Sequence, residues 1–127
     1  MDVARQVPAP PAAAWRLLTD LDSWPRWGPT VTAAELTGGG RRLTDGARGR
    51  VRTPAGLWLP FAVTAFEPGY RWVWRVAGVP ATGHRVEPHA DGCRVVFEVP
   101  VLAALYAPVC RRALDRIAGL LAEERAP

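Results

Sequence analysis

His84 and Tyr106 are the two side chains of this sequence whose type and position suit proton transfer on a bound molecule. A histidine titrates near neutral pH, and one held neutral on an apolar wall can take a proton from an activated carbon or hydroxyl and return it. His84 stands mid-strand in Gly83-His84-Arg85-Val86-Glu87, where alternation sets it on the face opposite Arg85 and Glu87. Tyr106, in a C-terminal apolar segment, offers a hydroxyl to a ligand or to a helping water. Both also have a plain structural reading, as an internally satisfied histidine and a packed tyrosine. His89 follows Pro88 in a turn and is expected to be exposed.

Around these groups the sequence supplies indole. Six tryptophans stand in 127 residues, two bracketing a turn in Ser23-Trp24-Pro25-Arg26-Trp27 and two alternating in Arg71-Trp72-Val73-Trp74-Arg75. An indole joins a large apolar face to an N–H that needs an acceptor, which suits a cavity wall as well as a solid core. Trp15, Trp24 and Trp27 read either as locks that hold short helices over a sheet or as the mouth of a pocket. Trp72 and Trp74 read either as ligand contacts or as packing against a helix.

Composition removes several chemistries. All sixteen basic residues are arginine, and without lysine there is neither a Schiff base nor a lysine general base. Ser23 is the single serine, which leaves little room for a serine triad. Cys93 and Cys110 lack CxxC spacing and a neighbouring histidine, so they read as buried free thiols, and neither a metal nor a cofactor is expected. The net charge of +4 is densest at Arg41, Arg42, Arg48, Arg50 and Arg52. Without an interleaved aromatic platform this is a solvated strand face, and no nucleic-acid binding is expected. Gly38-Gly39-Gly40 lacks the Lys-Ser/Thr ending of a phosphate loop. No charged leader and no bilayer-length apolar run is evident, so the expectation is a cytoplasmic protein without membrane insertion, monomer or homodimer. The length suits one domain over 1–127, large enough to bury a core unaided.

The elements that must position these residues follow from periodicity. Residues 2–7 alternate as a first strand, and prolines at 8–11 lead into a helix over 11–21, with Ala14, Trp15, Leu17, Leu18 and Leu21 at helical spacing. Pro25 and Gly28-Pro29 limit a second helix to about one turn. Glycine and proline then divide strands at 30–37, 47–53, 57–67, 70–77, 81–88 and 92–99, whose short connections favour an antiparallel meander. From 101 to 124, Leu102, Leu105, Tyr106, Val109, Ala113, Leu114, Ile117, Leu120 and Leu121 mark a long amphipathic helix, bent at Pro108. A sheet and a helix with one apolar face each must bury them together, which makes an α+β domain of about seven strands curved around the last helix.

Several segments together resemble a known family. They are Ala9-Pro10-Pro11-Ala12-Ala13-Ala14-Trp15, the Asp20 to Trp27 stretch, Asp45-Gly46-Ala47-Arg48-Gly49, Val63-Thr64-Ala65-Phe66-Glu67-Pro68 and Gly83-His84-Arg85-Val86. In order and spacing the whole chain resembles the SRPBCC proteins, the START and Bet v 1-like helix-grip group, and within it the polyketide cyclase/dehydrase-like proteins. The resemblance implies a hydrophobic cavity between sheet and long helix, used by different members for lipids, quinones, polyketides or other ring compounds. It does not imply a shared reaction.

Alternation gives the cavity wall independently. If the arginines face water, Arg71, Val73 and Arg75 point out and Trp72, Trp74 and Val76 point in. By the same rule Gly49, Val51 and Thr53 point in, as do His84 and Val86. Arg94, Val96 and Glu98 form an outward set against inward Cys93, Val95, Phe97 and Val99. Phe61 and Val63 are candidates on a strand whose two faces are both apolar, and Trp58 fits either face. Trp27 from the short helix and Leu105, Tyr106 and Val109 from the long one complete the expected ligand wall. Two functional classes remain open. One is a carrier or sensor for a small hydrophobic, aromatic or lipid-like ligand, and the other a polyketide cyclase, aromatase or dehydratase in which His84 moves a proton.

Overall fold

The structure, a computed structural model, describes residues 1–125 apart from the side chains of Leu102, Ala104 and Arg125, so the expectation for Leu102 lies outside the described residues. The chain runs β1 (Asp2–Val7), α1 (Pro11–Thr19), α2 (Trp24–Trp27), β2 (Ala33–Leu36), β3 (Arg48–Arg52), β4 (Trp58–Glu67), β5 (Arg71–Val76), β6 (Val79–His89) and β7 (Gly92–Glu98). A 3₁₀ helix (Val101–Tyr106) and α3 (Ala107–Arg125) follow. The strands form one antiparallel sheet ordered β1-β7-β6-β5-β4-β3-β2. From β2 onward each strand pairs with its neighbour in sequence, as short turns require, while β1 crosses to pair with β7. The helix α3 packs on β1, α1 and α2, so the curved sheet and the helices enclose one apolar interior in the helix-grip arrangement.

The short helices owe their position to their tryptophans. Pro11 opens α1, where a missing N–H leaves no bond unmade. At its other end each orphan carbonyl finds a donor: Arg16 from the Asp20 N–H, Leu17 from Trp27 Nε1, Leu18 from Trp24 Nε1 and Thr19 from the Leu43 N–H. Trp24 and Trp27, on a helix of a single turn, thus tie that turn to α1 through their indole nitrogens and bury their rings in the core.

Three expectations change. The C-terminal segment is not one helix bent at Pro108. A 3₁₀ helix with a non-helical Ala103 precedes α3, and Pro108 lies in the first turn of α3, where proline is tolerated. Leu105 consequently points into solvent, 97% exposed, and is not part of a cavity wall. Val96, expected outward, is fully buried, because the outer face carries its own ion network. Arg85, its cross-strand neighbour, donates to Glu98, Glu87 and Asp2 and spreads its alkyl stem over the sheet rather than reaching into water. Gly83 makes that network possible, since a Cβ there would come within 2.7 Å of the Glu98 carboxylate.

Two bulges explain why simple alternation was ambiguous in the middle of the sheet. Thr64 is an extra residue in β4, so Phe61 and Val63 are buried before it and Phe66, not Ala65, stands opposite Trp72 after it. Trp58 lies on the outer face beneath the Arg50 guanidinium, 4.2 Å from its ring centre. Among the described residues no helix is long and apolar enough to cross a membrane.

Candidate functional site

The second bulge builds the site. Between the pairs Val73–Gly83 and Arg75–Pro80, β6 places Ala81 and Thr82 opposite the single Trp74 of β5. Thr82, two residues before His84, is buried on the same face of β6. Trp74 Nε1 donates to Thr82 Oγ1 at 3.2 Å, and Thr82 Oγ1 shares a hydrogen bond with His84 Nε2 at 2.9 Å. The imidazole stacks on Trp72 with ring centres 4.0 Å apart at 26°, and Trp24 stacks on Trp72 in turn at 5.5 Å and 12°. Phe97 meets the imidazole edge-on at 4.8 Å, and Trp27 does so at 6.3 Å. Aromatic packing of this kind fixes rings in place beyond what burial alone provides.

Burial dominates the electrostatics. His84 is 2% exposed, and loss of water pushes its pKa from 6.5 down to about 3. The backbone of Trp72 and the Glu98 carboxylate favour the charged ring without offsetting that loss. Among the described residues neither His84 Nδ1 nor Trp72 Nε1 has a hydrogen-bond partner. Burial likewise raises the Tyr106 hydroxyl and pushes the Cys110 thiol up to about 11, so both keep their protons at neutral pH.

Two neighbouring spaces adjoin this cluster. An inner void of about 40 Å³ lies among Trp27, Trp72, His84, Phe97, Val109 and Cys110. An outer groove of about 360 Å³ runs between the start of β6, β3 and the 3₁₀ helix, along Val51, Leu59, Val76, Val79, Pro80 and Ala103. Thr30, Val31, Trp74, Thr82 and Tyr106 line both, and the Tyr106 and Thr30 hydroxyls are bonded at 2.6 Å across that common wall. No charged side chain is among the described residues lining either space. Among the described residues no group of three His, Cys, Asp or Glu is placed to hold a metal ion.

Residues 1–122 match the family model described as polyketide cyclase/dehydrase and lipid transport. The chain belongs to that family. No curated protein matches it. Among solved structures, protein NE0264 from Nitrosomonas europaea is 18% identical with a TM-score of 0.71, covering 100% of this chain and 96% of its own. XoxI from Bacillus cereus is 14% identical with a TM-score of 0.74, covering 100% and 98%. DynU16, from the dynemicin biosynthetic locus, is 21% identical with a TM-score of 0.69, and the match covers 98% of this chain and 47% of DynU16. At these identities the likeness is one of fold.

In this polyketide cyclase/dehydrase-family protein the sequence candidates separate into three groups. Trp27, Trp72, Trp74, His84, Phe97, Tyr106 and Val109 come together around the inner void, while Val51 reaches the outer groove. Phe61, Val63, Val86 and Val95 are buried but line neither space; they are the packing behind the wall. Leu105 stands apart in solvent. Thr82 is the residue that sequence reasoning missed, although period two from His84 and Val86 would have placed it on the inner face. Trp24, first read as a lock or as the pocket mouth, both locks α2 and lines the inner void.

Proposed function

We propose that this protein binds a small, flat, hydrophobic molecule, aromatic, polyketide-like or lipid-like, as a carrier or sensor. The observation that supports this reading is the lining of the cleft: mostly aromatic and aliphatic side chains, no charge among the described residues, and two small hydrogen-bonded groups, Thr30–Tyr106 on the common wall and Trp74–Thr82–His84 at the inner end. Ligand sites of this kind occupy about 300–1,000 Å³ and combine apolar walls with a few placed polar groups. The outer groove, at about 360 Å³, takes the body of such a molecule, and the inner void, at about 40 Å³, takes one protruding atom.

Binding is favoured over catalysis by the state of His84. A general base works best with a pKa near the operating pH, and an imidazole held at about 3 is a weak one at neutrality. One observation favours the second reading, a cyclase, aromatase or dehydratase: Tyr106 and His84 line the same inner void, as a proton-transfer pair would.

Titrating the intact protein with flavonoids, quinones, fatty acids and polyketide-like phenols tests the proposal. At least one should quench tryptophan fluorescence saturably and raise the melting temperature, as a ligand selective for the native state must. Linear, nonsaturating responses from the whole panel would overturn it. His84→Ala separates the two classes. A carrier loses about tenfold in affinity at most, the size of one hydrogen bond, whereas an enzyme loses roughly a hundred to ten thousand-fold in turnover at unchanged affinity.

A further inference from the structure

Taking the binding reading as its basis, we infer that the inner end of the cleft selects a neutral hydrogen-bond acceptor, such as a ketone, quinone or lactone oxygen, and rejects carboxylates. The hydrogens around Thr82 outnumber their acceptors. An indole N–H only donates, a neutral imidazole has one N–H and one lone pair, and a hydroxyl has one hydrogen and two lone pairs. Trp74 donates to Thr82 Oγ1, and Thr82 and His84 Nε2 share one hydrogen.

If Thr82 donates that hydrogen, His84 carries its own on Nδ1, which has no partner. If Nε2 donates it instead, the Thr82 hydrogen is left over. In either tautomer Trp72 Nε1–H is unpartnered as well. The cluster therefore leaves at least two donors unmatched, on side chains more than nine-tenths buried that belong to residues lining the inner void. An unmatched buried donor is costly, and an acceptor oxygen delivered by a ligand removes that cost.

The same surroundings refuse an anion. A carboxylate buried without a cation loses far more hydration than two neutral donors return, and no charged residue among those described lines the cleft to compensate. The imidazole does not supply the charge either, because its burial keeps it neutral at pH 7.

The test uses three probes of one shape on the intact protein: 9-fluorenone, fluorene and fluorene-2-carboxylate. Fluorenone should bind about tenfold tighter than fluorene, the effect of one gained hydrogen bond, and the carboxylate weaker than both. In ¹H–¹⁵N spectra of the wild-type protein, fluorenone but not fluorene should move the Trp72 indole N–H downfield. Trp72→Phe, which keeps an aromatic face and deletes one donor, should lower the fluorenone-to-fluorene affinity ratio measured on the same variant, whatever the smaller ring does to the affinity of fluorene itself. Equal affinity for fluorenone and fluorene, or tightest binding of the carboxylate, would overturn the selectivity while leaving the binding site standing. If none of the three binds saturably, the binding reading fails and this inference fails with it.

Discussion

The two faces of the sheet solve opposite electrostatic problems with adjacent residues. On the outer face Glu98 accepts from Arg71 Nε at 2.9 Å, Arg71 Nη2 at 2.8 Å and Arg85 Nη1 at 2.9 Å, and these cations hold its carboxyl well below the usual range, at about 2. One position away on the inner face, Phe97 packs edge-on against a histidine that burial keeps uncharged. Polar groups on the outer face have more partners than they need, and those on the inner face have too few. A fully matched network stabilises a surface, whereas an unmatched neutral one is useful where another molecule completes it. On the proposed binding function, the sheet separates a structural face from a receptive one.

The largest expected break in this comparison is on the inner face. Trp24→Ala removes a fully buried indole from the Trp72 stack and strips the Leu18 carbonyl of its donor. Large-to-small changes at such sites destabilise by about 3–5 kcal/mol. Trp58→Ala, on the outer face, removes a half-buried indole that a guanidinium covers, and should cost about 1 kcal/mol from its cation–π contact beyond the lost area. Urea denaturation of the two variants measures the contrast, and similar losses would show that the outer aromatic carries as much of the core as the inner one.

Acid should sharpen the comparison next, because the two faces lose stability in different windows. His84 has a folded pKa of about 3 against 6.5 in the open chain. Between those values only the unfolded chain takes the proton. Stability is therefore complete above pH 6.5 and falls as the pH drops toward 3, at up to about 1.4 kcal/mol per pH unit. The Glu98 carboxylate, at about 2 against 4.5, contributes above pH 4.5 and loses that contribution between 4.5 and 2. Unfolding free energies measured from pH 7 to pH 3 should fall first with the inner-face slope. His84→Gln should flatten the curve between pH 6.5 and 4.5, and Glu98→Gln should flatten only the part below. A wild-type curve that is flat down to pH 4.5 would show that His84 is less desolvated than its packing implies.

How far the sequence announces these faces varies along the chain. Arginine alternation in Arg71-Trp72-Val73-Trp74-Arg75 and glycine-bounded strands led to the order of elements and the inward direction of Trp72, Trp74 and His84, all recovered in the fold. Boundaries were legible at positions such as Pro11, where α1 begins, and Gly28, where α2 ends. Alternation holds along β6, where Thr82, His84 and Val86 are all buried, but the bulge that sets Ala81 and Thr82 together opposite Trp74 leaves no mark in composition, so the bond from the Trp74 N–H to Thr82 was not legible. Burial of Val96 was hidden for another reason, since it depends on Arg85 choosing three carboxylates over water. Leu105 was misread because apolar spacing of 3.6 does not distinguish an α-helix from a 3₁₀ segment, whose different rotation sends the side chain outward.

The smallest expected effect on stability falls on the wall between groove and void, where the two faces no longer matter and access does. Tyr106 is partly exposed, and its hydroxyl bond to Thr30 competes with water, so Tyr106→Phe should cost only about 0.5–1 kcal/mol. That bond nevertheless ties the 3₁₀ helix to the loop after α2, across the residues that line both spaces. A ligand that places an oxygen in the inner void has to pass this wall. Removing the tie should therefore speed association of 9-fluorenone in stopped-flow fluorescence while changing its equilibrium affinity little, because the donors on Trp72 and His84 are untouched. An association rate equal to that of the wild type would show that entry bypasses Tyr106. A loss of affinity as large as that of Trp72→Phe would make the tyrosine hydroxyl itself a ligand contact rather than part of the wall.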